Sequence, residues 1–155
     1  MGLREKITDT SRLRAWEGRI GIAFQYTAGA AGQRFLTLLR QRGRLAVTRC
    51  PECGTTYIPP RVYCPRDFQD LSSRWAEVAP RGVVHSFTLV HRDLHGQPLH
   101  PPLLLALVQI DGTDGALLAP LDLDPAEVAI GRRVEAVLRP VAQRRGTIED
   151  IVAFR

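Results

Sequence analysis

The sequence predicts a mainly β fold in which short N-terminal helices precede a small cysteine-bearing module and a five-stranded barrel. Two observations support this prediction. The three cysteines cluster between positions 50 and 64, and the chain after position 75 alternates β-rich runs with turn signals. At 155 residues with 45% hydrophobic composition, the chain can bury one sizeable core with a small appendage, and two full-sized domains would not fit.

Residues 1–43 are expected to form a helical segment that docks a partner. The pattern is helical around Ser11 to Glu17 and again from about Ala30 to Arg42, with glycines breaking the stretch between them. In the second piece Phe35 and Leu39 share a face, and Gly43 is a typical residue to end a helix. The apolar faces pack either on the rest of this chain or on another protein, and the sequence leaves both open.

Residues 44–70 carry a metal-ligand pattern, C-x2-C-x10-C-x2-D, formed by Cys50, Cys53, Cys64 and Asp67. Two such turns brought together by a hairpin would place four ligands around a zinc ion, which accepts thiolates and tolerates a carboxylate oxygen. All four candidates come from one module, so a structural zinc is predicted rather than a catalytic one. Three alternatives stay open: water or a histidine replaces Asp67 as fourth ligand, or the metal has been lost.

Residues 71–155 read as a separate β domain. Three strands, a short helical connection opening at Asp124, and two further strands are the order expected of an OB-fold barrel, with an unclosed sandwich as the alternative. The predicted strands are Gly82 to His91, Leu103 to Ile110, Ala116 to Leu121, Arg133 to Val141 and Thr147 to Phe154.

Charge and hydropathy exclude some functions and favour others. The net charge is +5, but residues 1–49 carry ten basic residues against three acidic ones, whereas residues 68–155 carry nine against eleven. The predicted barrel is therefore slightly acidic, which disfavours nucleic-acid binding. The N-terminal residues are polar, and the longest apolar run is too short to span a bilayer, so we expect a soluble cytoplasmic protein without a membrane partner.

Several of these runs resemble those of a known family. The segments Thr48–Gly54, Tyr57–Arg61 and Cys64-Pro65 resemble the rubredoxin-like zinc ribbon of the acyl-CoA-associated zinc-ribbon/OB-fold family, once classed only as a domain of unknown function. Gly82–Thr88 resembles its first barrel strand. The resemblance covers nearly the whole chain. One departure stands out, because the family ribbon usually ends in a fourth cysteine where this sequence has Asp67.

The resemblance implies a non-catalytic accessory subunit. Members of the family work beside thiolase-like enzymes, including thiolases, aldolases that cleave steroid side-chain CoA thioesters, and an archaeal thiolase and synthase assembly; some act beside hydratases. The partner would hold the catalytic residues, while this chain would support assembly and acyl-CoA binding or channelling. Because thiolases are commonly dimeric, a heterotetramer with two copies of each chain is the natural expectation.

Two other functions remain as alternatives. One is a nucleic-acid-binding protein, since zinc ribbons and OB barrels both serve that purpose, although the candidate aromatic residues Trp75, Phe87 and Phe154 are widely spaced. The other is a free-standing acyl-CoA-binding module. In either acyl-CoA reading, guanidinium groups suit the phosphates of coenzyme A, and the candidates around the ribbon are Arg44, Arg49 and Arg61.

Overall fold

The computed structural model describes residues 26–155 without a gap, together with residues 9, 11, 21 and 24. The helix predicted around Ser11 to Glu17 therefore lies outside the described residues, apart from Ser11. In this described part of the chain, no helix is long and apolar enough to cross a membrane.

Within residues 26–49, which the structure describes in full, an α-helix precedes the cysteine-bearing module, close to its predicted bounds. Helix α1 spans Gly29–Arg42 and ends at Gly43, whose φ of 64° places it in the left-handed region. The Gly43 N–H donates to the carbonyl of Leu39 at 2.9 Å, which satisfies one of the carbonyl groups left free at a helix end. Phe35 and Leu39 lie one turn apart and are both buried, so the helix packs through a single apolar face.

A three-stranded antiparallel sheet follows the helix, in the order β2-β1-β3. Strand β1 (Leu45–Arg49) is buried at its first four positions, since α1 contacts it. Strand β2 (Thr56–Tyr57) returns from the first cysteine turn. Strand β3 (Trp75–Val78) lies beyond residue 70 in sequence, yet it pairs with β1 along four positions.

The remaining strands form one five-stranded antiparallel sheet in the order β6-β5-β4-β7-β8. A parallel bridge between Leu121 and Phe154 joins the chain after β6 to β8 and so brings the two outer strands together. This is the predicted succession of three strands, a connection and two strands, and the mainly β fold class is confirmed. The strands are β4 (Arg81–Arg92), β5 (Pro98–Ile110), β6 (Ala116–Pro120), β7 (Arg133–Leu138) and β8 (Ile151–Phe154).

Four local expectations differ from the structure. Strand β5 starts at Pro98 and not at Leu103, because it pairs with β4 as far as Arg92. The predicted helical connection at Asp124 is a turn, in which the Asp124 carboxylate accepts the N–H of Ala126 at 2.9 Å and no helix propagates. The strand expected to run to Val141 ends at Leu138, before Pro140, which has no N–H for a ladder. The last strand starts at Ile151 instead of Thr147, since a 3-10 helix occupies residues 148–150.

The helix, the cysteine module and the barrel share one core. Residues from α1 and β1 and the side chain of Ile58 belong to the same buried cluster as the inward-facing residues of the barrel. Hydrogen bonds add to this junction, because the Thr56 N–H donates to the Asp114 carboxylate at 2.8 Å and the Asp114 N–H donates to the Thr56 carbonyl at 2.9 Å. A Cβ at Gly115 would meet the Ile58 carbonyl oxygen at 2.6 Å, so only glycine allows this approach.

Candidate metal centre

The cysteines lie on two turns that repeat each other. In the first, the Gly54 N–H donates to the Cys50 carbonyl at 3.1 Å, and Gly54 has a φ of 71°. In the second, the Phe68 N–H donates to the Cys64 carbonyl at 2.9 Å, and Phe68 adopts a φ of 60° that non-glycine residues seldom take. Asp67 therefore occupies the place in the second turn that Cys53 occupies in the first.

The two turns bring all four predicted ligands together. Their ligand atoms lie within 4.8 Å of one another. The Cys50 Sγ lies 3.2 Å from Asp67 Oδ2, and the Cys53 Sγ lies 3.7 Å from the Cys64 Sγ. A tetrahedral zinc with ordinary Zn–S bonds separates its sulfurs by about 3.8 Å, so the donor set fits such an ion. Among the described residues this is the one group of three or more His, Cys, Asp and Glu side chains so arranged.

Burial and hydrogen bonding shift the pKa values of Cys50, Cys53 and Asp67 in different directions. Burial raises the pKa of Cys50 to about 11. Hydrogen bonds with the Thr55 side chain and backbone lower the pKa of Cys53 to about 7. Contacts with the Cys64 and Cys50 thiols hold the pKa of Asp67 below its ordinary value. A thiol, an acidic thiol and a carboxylate thus share one small site, and a cation there would compete with protons for the sulfurs.

Two hydroxyl groups that the sequence analysis did not single out also belong to the cluster. The Tyr57 hydroxyl lies 3.2 Å from the Cys64 Sγ, and the Thr55 Oγ1 lies 3.3 Å from the Cys53 Sγ. The Cys64 contact raises the pKa of Tyr57. The sequence shows that Thr55 and Tyr57 follow Cys53 closely. Which hydroxyl reaches which sulfur, however, depends on how the β1–β2 hairpin folds back over the second turn.

The three arginines expected to meet phosphate groups do not form one cluster. Arg44 and Arg49 lie at opposite ends of β1, about 16 Å apart for an extended strand of that length. Arg44 donates to the Glu77 carbonyl at 3.4 Å. Arg61 lies elsewhere, with its guanidinium 5.7 Å from the centre of the Tyr57 ring, and lines a groove of about 660 Å³ together with Arg66.

The aromatic residues considered for base stacking are also separated. Phe154 is fully buried in the core. Trp75 lies in the three-stranded sheet, with the Arg34 guanidinium 4.7 Å from the centre of its ring. Phe87 lies on β4 and is 41% exposed. These three rings do not provide the shared platform on which successive bases stack.

Residues 86–103 form a two-stranded hairpin whose base still packs on the barrel core through Leu89 and whose outer part extends past the barrel. Strand β7 pairs with β4 at Arg81–Val83, and β6 pairs with β5 from Leu105 onward, so in the described structure this hairpin arm has no third strand beside it. It exposes Leu94 fully at its tip, and Phe87 and Leu103 are each about 40% exposed. Isolated two-stranded hairpins are marginal in water, so apolar exposure here is typical of a surface that another molecule covers.

Comparison with known proteins identifies both modules. A family model described as "ChsH2, rubredoxin-like zinc ribbon domain" matches residues 39–70, and one described as "ChsH2, C-terminal OB-fold domain" matches residues 75–139. The first match contains the two cysteine turns, and the second runs from β3 through β7.

Curated relatives agree with this assignment. A DUF35 domain-containing scaffold protein of Methanocaldococcus jannaschii is 28% identical over 107 residues, which are 68% of this chain and 74% of the relative. A protein of the same description from Pyrococcus furiosus is 28% identical over 114 residues, or 71% of this chain and 79% of the relative.

Solved structures are similar over comparable lengths. A DUF35-family protein of unknown function from Sulfolobus solfataricus has a TM-score of 0.59 at 26% identity, covering 70% of this chain and 78% of that one. A structure described as the Ltp2-ChsH2(DUF35) aldolase has a TM-score of 0.55 at 26% identity, covering 81% of this chain and 92% of that one.

The fold and the cysteine cluster define a zinc-ribbon protein with an OB-fold barrel. The chain carries a zinc ribbon and an OB-fold domain of the ChsH2 type, and DUF35 scaffold proteins are its homologues. The family resemblance predicted from the sequence is therefore confirmed, including its extent over both modules.

Proposed function

We propose that this chain is a non-catalytic accessory subunit of a thiolase-like acyl-CoA enzyme. The observation that carries the proposal is its similarity, over 81% of its length, to a chain of the structure described as the Ltp2-ChsH2(DUF35) aldolase. The curated relatives, which are described as scaffold proteins, support the same role. A hydratase-like enzyme is the alternative partner for such an accessory subunit. Because thiolases are commonly dimeric, we propose a heterotetramer with two copies of each chain.

The hairpin arm supports the proposal from the side of the structure. The arm combines a fully exposed leucine at its tip with the half-exposed Phe87 and Leu103, and an unsupported apolar hairpin of this kind suits burial by a partner. The proposal therefore gives Leu94 and its neighbours a place in the interface with the enzyme. Helix, ribbon and barrel pack around one shared core, and the arm projects from this packed body.

Affinity purification of the tagged chain from its native cell extract tests this role. We expect a thiolase-like or hydratase-like protein, identified by mass spectrometry, at a constant ratio to the tagged chain. Leu94→Asp should reduce its recovery, whereas Ile130→Asp, which changes an equally apolar residue that is 72% exposed in the turn before β7, should not. Recovery of nucleic acid, or of the tagged chain alone, would overturn the proposal.

We propose in addition that Cys50, Cys53, Cys64 and Asp67 hold one structural zinc. All four ligands come from the ribbon, and the sulfur-to-oxygen and sulfur-to-sulfur distances suit a tetrahedral ion. The metal would fix the two turns against each other in a module whose own buried cluster is small. Metal analysis of the purified chain, with Asp67→Ala as the variant that removes the carboxylate, tests the ligand set.

Acyl-CoA binding shared with the partner is the remaining part of the proposal. Arg61 is the arginine whose position supports it, because it lines an open groove beside a second guanidinium, whereas Arg44 and Arg49 could contact only separate phosphates. Isothermal titration with an acyl-CoA should give heat for the complex and none for the chain alone. Arg61→Gln should weaken binding, while Arg155→Gln, at the exposed C-terminus, should leave it unchanged.

A further inference from the structure

The metal centre has a second layer of contacts, made by hydroxyl groups. The Tyr57 hydroxyl lies 3.2 Å from the Cys64 Sγ and 3.8 Å from the Cys53 Sγ, so it spans two ligands. The Thr55 hydroxyl lies 3.3 Å from the Cys53 Sγ. Both residues are half-buried, which limits competition from water for these contacts.

The direction of these hydrogen bonds follows from the metal. A cysteine bound to zinc is a thiolate, which has no proton to donate, so each hydroxyl must act as the donor. A dication held by three thiolates and one carboxylate leaves the site with two excess negative charges. Hydroxyl donors aimed at the sulfurs disperse that charge, and they stabilise the ligands in the orientation that the metal requires.

We infer that Tyr57 and Thr55 are positioning residues that hold Cys64 and Cys53 as metal-bound thiolates. This inference rests on the proposed zinc site. Two contacts hold the Tyr57 ring: it packs against the buried cluster of Cys50, Cys64 and Leu71, and the Arg61 guanidinium lies 5.7 Å from the ring centre. Tyr57 also pairs with Thr48 of β1, so the strand pairing sets where its hydroxyl reaches.

Cobalt(II) added to the purified full-length chain reports on the sulfurs directly, through sulfur-to-cobalt charge-transfer absorption. Tyr57→Phe removes only the hydroxyl, so the metal-bound sulfur becomes more electron-rich and the charge-transfer band should move to longer wavelength. Competition with a chelator should show a roughly 10- to 100-fold loss of affinity. Tyr63→Phe is the matched control, since this tyrosine lies next to Cys64 but is 61% exposed, and it should match the wild type.

Thr55 provides a second test that does not require any change at Tyr57. Thr55→Val keeps the shape of the side chain and removes the hydroxyl, so it should also move the charge-transfer band to longer wavelength. Thr55→Ser keeps a hydroxyl and should leave the band at its wild-type position. Circular dichroism verifies that each variant is folded. If the wild type binds no cobalt, the proposed zinc site fails. If the wild type binds cobalt, and Tyr57→Phe and Thr55→Val have the same spectrum and cobalt affinity as the wild type, the proposed zinc site stands and the inference about the two hydroxyl groups is wrong.

Discussion

Replacing Asp150 with asparagine removes a charge from a buried backbone-binding site while keeping the shape of the side chain. Asp150 is 1% exposed, and its two carboxylate oxygens accept the N–H groups of Arg145 at 2.9 Å and Gly146 at 2.8 Å. This carboxylate therefore fixes the turn between β7 and β8 and holds Gly146 close to Arg40 of helix α1.

The expected cost follows from the hydrogen bonds. An asparagine can accept one of the two N–H groups through its oxygen, but its NH₂ group is a donor and leaves the other N–H without an acceptor. Hydrogen bonds to charged groups contribute about 1.5–3 kcal/mol each, and a buried unsatisfied donor costs about 1–3 kcal/mol. We expect Asp150→Asn to lower the free energy of unfolding by about 2–3 kcal/mol at neutral pH.

The effect of Asp150→Asn on stability should depend on pH, in a direction set by the pKa of the Asp150 carboxyl. Burial acts to raise the pKa of Asp150, but the backbone N–H groups of Arg145, Gly146 and Thr147 outweigh it, and the pKa is lowered overall. A carboxylate with a lowered folded pKa stabilises the fold above its unfolded pKa, near 3.9, and that stabilisation is lost as pH falls through the folded pKa. The variant lacks this titration, so its difference from the wild type should shrink as the pH falls below about 4.

Urea unfolding followed by circular dichroism, repeated across this pH range, measures the difference. Glu149→Gln is the matched control, because Glu149 precedes Asp150 but is exposed, and it should change stability by less than about 0.5 kcal/mol. A difference for Asp150→Asn that is the same at every pH, or no difference at pH 7, would refute the reasoning.

The remaining predictions concern the core, the barrel and the metal. Leu39→Ala should lower the free energy of unfolding by about 2–5 kcal/mol, because Leu39 is fully buried between helix and barrel, whereas Leu118→Ala, at 65% exposure, should have little effect in the same urea assay. Gly82→Ala should destabilise the chain strongly and lower its melting temperature, since the added Cβ would meet the Gln109 carbonyl oxygen. An unchanged melting temperature would contradict that contact. A strong chelator should loosen the ribbon and leave the barrel folded, so hydrogen exchange should increase around Cys64 and stay slow in β5; uniform exchange in both would count against a structural metal.

The fold was predictable wherever a short stretch of sequence decides the structure. Helix α1 ends where Gly43 supplies a left-handed residue, and β4 starts at Arg81, next to its predicted start at Gly82. Errors arose where tertiary contacts overrode the local pattern. Residues 147–150 were predicted as strand, but the Asp150 carboxylate accepts backbone N–H groups of the preceding turn and a 3-10 helix forms there. Strand β3 joins the ribbon sheet through pairs between residues far apart in sequence, such as Leu45 and Val78.

The candidate site was predictable in its ligands and not in its surroundings. The spacing of Cys50, Cys53, Cys64 and Asp67 fixed the candidate ligands because each turn is local in sequence. Which hydroxyl faces which sulfur, and the separation of Arg44 from Arg61, depend on the folding of the hairpin, and spacing alone carries no information about either. The exposed arm was not predicted either, because residues 98–102, which form the first part of β5, were not expected to be strand.

Native mass spectrometry of the chain, purified with whatever accompanies it from its own cells, tests the central claim most directly. The account predicts a complex of this chain with a thiolase-like or hydratase-like enzyme, two copies of each, carrying about one zinc per copy of this chain. A free monomer that carries no metal, or a complex with nucleic acid, would contradict it.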